Sequence, residues 1–335
     1  MIGGLELSSR VLVAPMAGIT DVPFRRIASC LGAGLVTTEM VSAEAVVRSN
    51  EAAIALLDFP ADTDPVAAQV VGCDPSVMAA AAQLAVERGA RLVDVNLGCP
   101  VRKVVGIGNG AALARDIAAT AKVLSAMVRA VPVPVTAKMR LGWDHSSINA
   151  PELGRALEGV GVAAVTVHGR TRAQAYQGRA DWGEIARVKE AVGIPVIGSG
   201  DVDSPEVAAA HVAAGDVDGV VLARGMLGDF HMIQRVAAMV DRGEQIAPPP
   251  FAARISMTAE HLSALCDYYG EHRALRIGRK YLAWTIKGCK GAARLRSRVQ
   301  DVSARADVDE LLTLALESGP REEGVFLPIF TSGEG

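Results

Sequence analysis

Short valine-rich runs alternate with helical stretches along most of the chain, and this alternation constrains the fold more than any other feature. Eight runs begin at residues 11, 35, 66, 92, 133, 163, 195 and 219. Most are apolar at nearly every position, which is typical of strands buried on both faces of a parallel sheet. Asp74–Pro75 and Ser204–Pro205 combine an N-cap with a proline that opens a helix. Eight βα units predict an α/β fold, the (β/α)8 or TIM barrel.

A doubly wound open sheet is the alternative. It would be favoured by a GxGxxG turn after the first strand, and APMAGITD at 14–21 has none. The linker QIAPPPFAAR at 245–254 contains three prolines, which exclude a helix there, and three helical stretches follow it. We therefore expect a catalytic barrel over 1–246, a small helical bundle over 251–319 and a tail over 320–335.

The cysteines argue for a reduced compartment. Five of them are scattered along the 335 residues without a CxxC pair, at positions 30, 73, 99, 266 and 289. The chain has neither a signal-like start nor an apolar window long enough for a membrane span. No HExxH motif or similar ligand spacing predicts a metal. We expect a cytoplasmic protein without metal or membrane contact, and a monomer, since nothing implies an obligate protein partner.

Charge is unevenly distributed in a chain whose formal net charge is −3. Residues 271–300 hold nine Lys and Arg against one acid, Glu271. On one continuous helix over 271–290, a group of cations falls within an arc of ~60°. Its members are Arg273, Arg276, Lys280 and Lys287. Such a stripe suits a nucleic-acid backbone, with Tyr281 and Trp284 beside it as groups that could stack on a base. For Trp284 we expect a buried anchoring role in preference to stacking. The alternative is a solvated helix face.

Polar residues recur at the carboxyl ends of the predicted strands, where TIM barrels carry catalytic groups. They are Met16, Gln69, Asn96, Cys99, Lys138, Arg140, His168, Arg170, Ser199, Gly200, Asp201 and Arg224. The SGD and ARG turns end strands seven and eight, where barrels commonly hold phosphate. Lys138 and Arg140 share one strand face and would need an anion or a polar ring near them. The alternative for Lys138 and Arg140 is a surface strand end with two solvated cations. For His168 the alternative is a histidine with satisfied hydrogen bonds in the core.

Cys99 is the one candidate acid or nucleophile with a dedicated turn, in VDVNLGCPVRK at 93–103. A papain-like role would need a partner histidine and an oxyanion hole, and the sequence has no signature for them. A thiol that acts as a proton donor needs only its position and a retained proton.

Taken together, these motifs resemble the tRNA-dihydrouridine synthase family, in particular its bacterial general branch. The matching segments are APMAGITDVPFR (14–25), TEM (38–40), QVVG (69–72), DVNLGCPVRKV (94–104), KMRLGW (138–143), TVHGRTRAQAYQGRADW (166–182), PVIGSGD (195–201), LARG (222–225) and RIGRKYLAW (276–284). The resemblance covers roughly residues 10–290, and the combination of NxGCP with HGRT is specific for the family.

The resemblance implies an FMN enzyme that uses NADPH to reduce the C5–C6 bond of selected uridines in tRNA. Cys99 would protonate C5 while hydride reaches C6 from the flavin. Asn96 would hold the uracil or shape the Cys99 turn, and Arg140 would contact the base or nearby backbone. The flavin ring would lie against Pro15, Met16, Ala17 and Gln69, with Lys138 at its N1–O2 edge. The flavin phosphate would be surrounded by His168, Ser199, Gly200, Asp201, Ala223 and Arg224.

Two other functions are compatible with such a barrel. A free-pyrimidine or dihydroorotate-type flavin reductase has no need of the basic segment, and a non-catalytic RNA-binding regulator has no need of Cys99 and Lys138. The chain departs from the family pattern at Gly106 and Asn109, in the loop after Cys99, and at Ser199 and Ala223.

Overall fold

The computed structural model describes residues 1–63 and 65–321, and within these ranges one parallel sheet dominates. Its strands are β1 (Val11–Val13), β2 (Val36–Thr37), β3 (Val41–Ser42), β4 (Val66–Val71), β5 (Leu92–Leu97), β6 (Val135–Arg140), β7 (Ala164–His168), β8 (Val196–Ser199) and β9 (Gly219–Leu222). Their order is β1-β9-β8-β7-β6-β5-β4-β2, and β3 also pairs with β4.

Backbone contacts between β1 and the start of the second strand run close the sheet into a barrel. Leu12 forms a parallel bridge with Leu35, and the Val13 N–H donates to the Leu35 carbonyl at 3.0 Å. The predicted (β/α)8 barrel is therefore confirmed. The second predicted run, 35–40, forms only the short strand β2, because after Thr37 the Thr38 hydroxyl accepts the Gln69 N–H at 3.0 Å in place of a ladder carbonyl. Strand β3 lies just beyond this run.

Helices cover the outside of the barrel and also form the C-terminal bundle. Around the barrel lie α1 (Val22–Cys30), α2 (Ala43–Val47), α3 (Glu51–Ile54), α4 (Pro75–Glu87), α5 (Arg102–Val105), α6 (Ile117–Ala130), α7 (Ala150–Gly159), α8 (Trp182–Ala191), α9 (Pro205–Ala213) and α10 (His231–Arg242). The bundle contains α11 (Phe251–Tyr269), α12 (Glu271–Ile286), α13 (Ala292–Arg298) and α14 (Arg305–Ser318). None of the helices in the described ranges combines the length and the apolar character needed to cross a bilayer.

Successive strand residues point alternately into two hydrophobic cores, one inside the barrel and one between the sheet and the helices. Inward-facing side chains such as Leu12, Leu92 and Ile197 fill the barrel, and Ile2 closes it from below. Outward-facing side chains pack against the surrounding helices, and this outer core continues into the bundle. The stability of the barrel thus rests on residues away from its carboxyl-terminal rim, which leaves the rim open to polar groups.

Aromatic contacts join the bundle to the barrel. The Tyr281 ring lies 4.4 Å from His261 and 6.4 Å from Phe24 of α1, measured between ring centroids. Tyr281 is only 2% exposed, so the prediction that it could stack on a base is wrong.

The prediction of one continuous helix over 271–290 is wrong at its end, because α12 stops at Ile286. Of the predicted tail over 320–335, residues 322–335 lie outside the described residues.

Candidate active site

Strand register brings the predicted residues together at one rim of the barrel. Asn96 of β5 lies opposite Lys138 of β6. Two residues further along, Arg140 pairs with His168 of β7, which pairs in turn with Ser199 of β8. All these strands are parallel, so their carboxyl ends meet at the same mouth.

A chain of side-chain hydrogen bonds fixes the turn that carries Cys99. Asn96 Oδ1 accepts the backbone N–H groups of Gly98 at 3.1 Å and Cys99 at 2.8 Å. Asn96 Nδ2 donates to Gln69 Oε1 at 2.8 Å. Gln69 Nε2 then donates to Asp94 Oδ2, also at 2.8 Å. Asn96 therefore shapes the turn, the second of its two predicted roles.

Gln69 and Asp94, the inner members of this hydrogen-bond network, are buried. Gln69, predicted at the flavin ring, is 0% exposed, and its amide connects Asn96 to Asp94. Asp94 was missed by sequence reasoning, although an acid in an otherwise apolar strand run is an unusual signal. Burial raises the pKa of its carboxyl, while the hydrogen bonds from Gln69 and Thr136 act in the opposite direction. A satisfied buried network of this kind makes the turn rigid.

Arg140 holds the same turn from the other side. Its Nε donates to the Gly98 carbonyl at 2.9 Å, and its Nη1 donates to the carbonyls of Thr171 at 2.9 Å and Ala175 at 2.8 Å. Only 5% of Arg140 is exposed. The structure thus uses Arg140 to join the Cys99 turn to the loop after β7, whereas the contact with a base stays a prediction.

Cys99 itself is half-buried with a free thiol. Its carbonyl accepts the Ala111 N–H at 3.2 Å, so the loop that follows the cysteine folds back onto it. Gly110 has φ +59°, and a Cβ there would lie 3.2 Å from Cys99 Cβ. Glycine is required at this position both for its backbone conformation and for the close approach.

The mouth concentrates positive charge. Burial, together with the nearby Arg140, lowers the pKa of Lys138 to about 8. Burial also lowers the pKa of Arg140 to about 10. The pKa of His168 lies well below its ordinary value because of burial and the surrounding arginines and lysine, which include Arg170 and Arg224. His168 is therefore a neutral imidazole at pH 7 among cations, an arrangement that favours an anionic ligand.

The corner predicted to hold phosphate is built from tight backbone turns. Gly200 has φ +124° and Asp201 has φ +53°. Arg170 Nη2 lies 2.8 Å from both carboxylate oxygens of Asp201, and the carboxylate also accepts the Ala180 N–H at 2.7 Å. The Asp201 carboxylate thus orders the turn. Ser199 is buried beside it, and Ala223 precedes a 3-10 helix over Arg224–Met226.

Tyr176 is a site residue that sequence reasoning missed. It is 52% exposed, and its ring lies 5.6 Å from the Arg140 guanidinium and 4.8 Å from that of Arg224. The available signal was an aromatic residue within the HGRT segment. Its exposed face lies at the mouth, where Pro15 and Met16 are half-buried and Ala17 is exposed in the turn after β1.

The four cations of the predicted stripe on α12 lie in three different environments. Arg273 and Arg276 are exposed on α12. Lys280 is half-buried and donates to the Gly18 carbonyl in the barrel, and Lys287 is the C-cap of α12. Trp284 is half-buried against the outer core. Only the first pair thus projects from α12 into solvent in the way the stripe requires.

A family model described as dihydrouridine synthase (Dus) matches residues 12–318. The chain belongs to the dihydrouridine synthase family. A probable tRNA-dihydrouridine synthase of Rickettsia conorii is 39% identical over 327 residues, which is 96% of this chain and 99% of that protein. The tRNA-dihydrouridine synthase B of Pseudomonas aeruginosa is 39% identical over 307 residues, 91% of this chain and 92% of the relative. The resemblance inferred from the motifs is thereby confirmed.

Solved structures support the fold. A 6-hydroxypseudooxynicotine amine oxidase from Pseudomonas geniculata has a TM-score of 0.57 at 16% identity over 79% of this chain. A histamine dehydrogenase from Rhizobium sp. 4-9 has a TM-score of 0.55 at 14% identity over 79% of this chain. This chain spans about half of each of those proteins, 51% and 50%. At such identities, the likeness shows that this chain shares the architecture of its barrel with them.

Proposed function

We propose that this protein reduces the C5–C6 bond of selected uridines in tRNA to 5,6-dihydrouridine, with FMN at the barrel mouth and NADPH as the reductant. The observation that carries the proposal is the Cys99 thiol, which Asn96 and Arg140 hold at a cationic barrel mouth in a chain of this family. Its relatives named as tRNA-dihydrouridine synthases support the same substrate class.

The residues at the mouth fit an anionic cofactor with a planar ring. Several cations converge on this region, and one of them, Arg170, is paired with Asp201. In the proposed arrangement, Lys138 would lie at the N1–O2 edge of the flavin, with Pro15, Met16 and Ala17 against the ring. Gln69 is fully buried and would act on the site through its hydrogen bond to Asn96. The phosphate is held by Arg224, neutral His168, Ala223 and the Ser199–Gly200–Asp201 turn. Asp201 contributes through its backbone, since its carboxylate is engaged by Arg170.

The chain supplies the proton of the reaction. When bound, the flavin supplies the hydride that is added at C6 of the uracil. Cys99 donates its thiol proton to C5, so that one hydride and one proton convert the double bond into a single bond. Asn96 and Arg140 are positioning residues, because they fix the backbone on both sides of this donor. The cysteine recovers a proton from solvent after turnover.

The helical segment 251–319 serves as the tRNA-binding domain. Arg273 and Arg276 project from α12 into solvent, and guanidinium groups on a helix face suit phosphate contacts that position RNA without reading its sequence. The enzyme is then an oxidoreductase on a CH–CH bond with an NAD(P) partner, acting as a monomer in the cytoplasm.

Purified protein tests the proposal in one assay. We expect a yellow preparation whose released cofactor has the mass of FMN. With NADPH and unmodified tRNA, digestion and mass spectrometry should detect dihydrouridine, whereas free uracil and dihydroorotate should not react. Reaction with the free pyrimidines alone would assign the rival reductase, and a colourless protein that binds tRNA without reaction would assign the regulator. Mapping dihydrouridine in tRNA from cells with and without the gene identifies the position.

A further inference from the structure

Gly18 links the barrel mouth to the helical bundle. It lies in the turn after β1, directly after Pro15, Met16 and Ala17, and it adopts φ +71°. In this left-handed conformation its N–H donates to Glu39 Oε2, while its carbonyl accepts from Lys280 Nζ. Glu39 follows β2 of the barrel, and Lys280 belongs to α12, 262 residues beyond Gly18. One residue of the turn is therefore held by two charged side chains from separate parts of the fold.

The next residue repeats the connection. Tyr281 Oη donates to the Ile19 carbonyl at 3.0 Å, so consecutive residues of α12 bind consecutive carbonyls of the turn. Tyr281 is buried among the aromatic rings that join bundle and barrel, which anchors this part of α12. The register of the helix against the turn is thus fixed, and Lys280 reaches Gly18 from a rigid base.

Nearby charges also favour the position of the Lys280 ammonium group at the Gly18 carbonyl. Asp21, the N-cap of α1, and Glu39 both act on Lys280 as opposite charges, while burial opposes its ammonium form. A half-buried lysine that two carboxylates attract and that donates to a backbone carbonyl gains little by moving to an external phosphate. Its environment differs from that of Arg276, which lies about 6 Å earlier along the helix axis and is exposed.

We propose that Lys280 and Glu39 are positioning residues that clamp the Pro15–Gly18 turn, so that tRNA bound on α12 and the geometry of the barrel mouth are coupled. This inference rests on the proposed function for its effect on turnover. Its structural part, the clamp itself, holds for the free protein. Lys280, predicted from the sequence as a phosphate contact, acts on the substrate through the turn.

Lys280→Met and Glu39→Met separate the clamp from a phosphate contact. Each change removes a charged group together with its hydrogen bond to Gly18 and keeps an unbranched side chain of similar size. Hydrogen exchange by mass spectrometry should show faster exchange for the peptide that contains residues 15–19 in both variants, without any tRNA or flavin. The dissociation constant for tRNA should stay within about twofold of wild type, while kcat at saturating tRNA falls roughly fivefold or more. Lys280→Arg should restore part of the rate.

Two other variants serve as references. Arg276→Met should show the opposite split, with weaker tRNA binding and normal exchange of the turn. Lys122→Met on the outer face of α6 should behave as wild type throughout. If Lys280→Met weakens tRNA binding and leaves the exchange unchanged, Lys280 is a phosphate contact and the clamp is wrong. Unchanged exchange in Glu39→Met alone would also contradict it. A wild-type enzyme that fails to form dihydrouridine would instead reject the proposed function, and the exchange data would still decide on the clamp.

Discussion

At Cys99 the chain joins a reactive side chain to a turn that is held on both sides. Asn96 accepts two backbone N–H groups of the turn, and Arg140 donates to the carbonyl of Gly98. The supporting groups are buried and have their own partners in Gln69 and Asp94, so the position of the thiol follows from the fold. Such preorganisation suits a proton donor, whose rate depends on distance to the acceptor atom.

If FMN binds as proposed, Lys138 should make its affinity depend on pH. Because burial lowers its pKa to about 8, its charged fraction falls as the pH rises from 7 to 9. An anionic flavin favours the protonated lysine, so FMN affinity should decrease as the pH passes through this pKa, by up to about tenfold per pH unit above it. Fluorescence titration of the FMN-free protein at several pH values measures this dependence.

Lys138→Met provides the control for this titration. The variant should bind FMN more weakly at pH 7 and lose the dependence between pH 7 and 9. A wild-type affinity that stays constant over the same range would remove Lys138 from the cofactor site.

The loop between β5 and α6 must close tightly over Cys99. Gly110→Ala tests that packing, because the added Cβ would lie 3.1 Å from the Cys99 carbonyl oxygen and 3.2 Å from its Cβ, at φ +59°. We expect turnover to fall by roughly tenfold to a hundredfold through displacement of the thiol. Steady-state rates at saturating tRNA measure the effect, and tRNA affinity should stay unchanged.

Gly159→Ala is the matched substitution. Gly159 is exposed at the end of α7, and a Cβ there meets no atom within 4 Å. It should retain the wild-type rate. Equal rates for the Gly110 and Gly159 variants would show that the loop does not position Cys99.

The sequence predicted those elements whose signals are local. Valine-rich runs indicated the strands, and parallel strands place their carboxyl-terminal residues at one rim, so Lys138 and His168 could be assigned to the site without coordinates. The early end of the second strand depended on a hydroxyl of Thr38 that meets β4 only in the folded barrel. Likewise, helical periodicity placed Lys280 beside Arg276, but its contact with Gly18 joins residues distant in sequence.

A strongly basic segment of the bundle, residues 271–300, belongs to a chain that is otherwise acidic. The +8 of residues 271–300 contrasts with the overall formal charge of −3. Part of this charge is used internally, since Arg279 donates to the Val302 carbonyl and Arg298 pairs with Glu310. The exposed arginines of α12 therefore carry the predicted contact with RNA.

Reversal of two of these charges should weaken tRNA binding. Arg273→Glu combined with Arg276→Glu places like charges near the RNA backbone, and we expect affinity to fall several-fold or more. The slope of log K against log salt should flatten by roughly 0.7–0.9 for each phosphate group that the variant no longer neutralises. Filter binding over a salt series measures both quantities.

The comparison is a Lys122→Glu and Arg129→Glu variant, whose changes lie on exposed positions of α6, away from the bundle. It should keep the wild-type slope, and FMN content should be normal in both proteins. If the α12 variant binds tRNA with wild-type affinity and slope, Arg273 and Arg276 form a solvated helix face.

If Cys99 donates the proton at a uridine-reducing site, the Cys99→Ala variant has a specific defect that a single-turnover experiment measures. The variant and the wild type are reduced with NADPH without oxygen and mixed with unmodified tRNA, and dihydrouridine is quantified by mass spectrometry over time. We predict normal flavin reduction by NADPH in both proteins and a rate of dihydrouridine formation that is lower in the variant by about 10²–10⁴-fold. Dihydrouridine formed by Cys99→Ala at the wild-type rate would contradict this account.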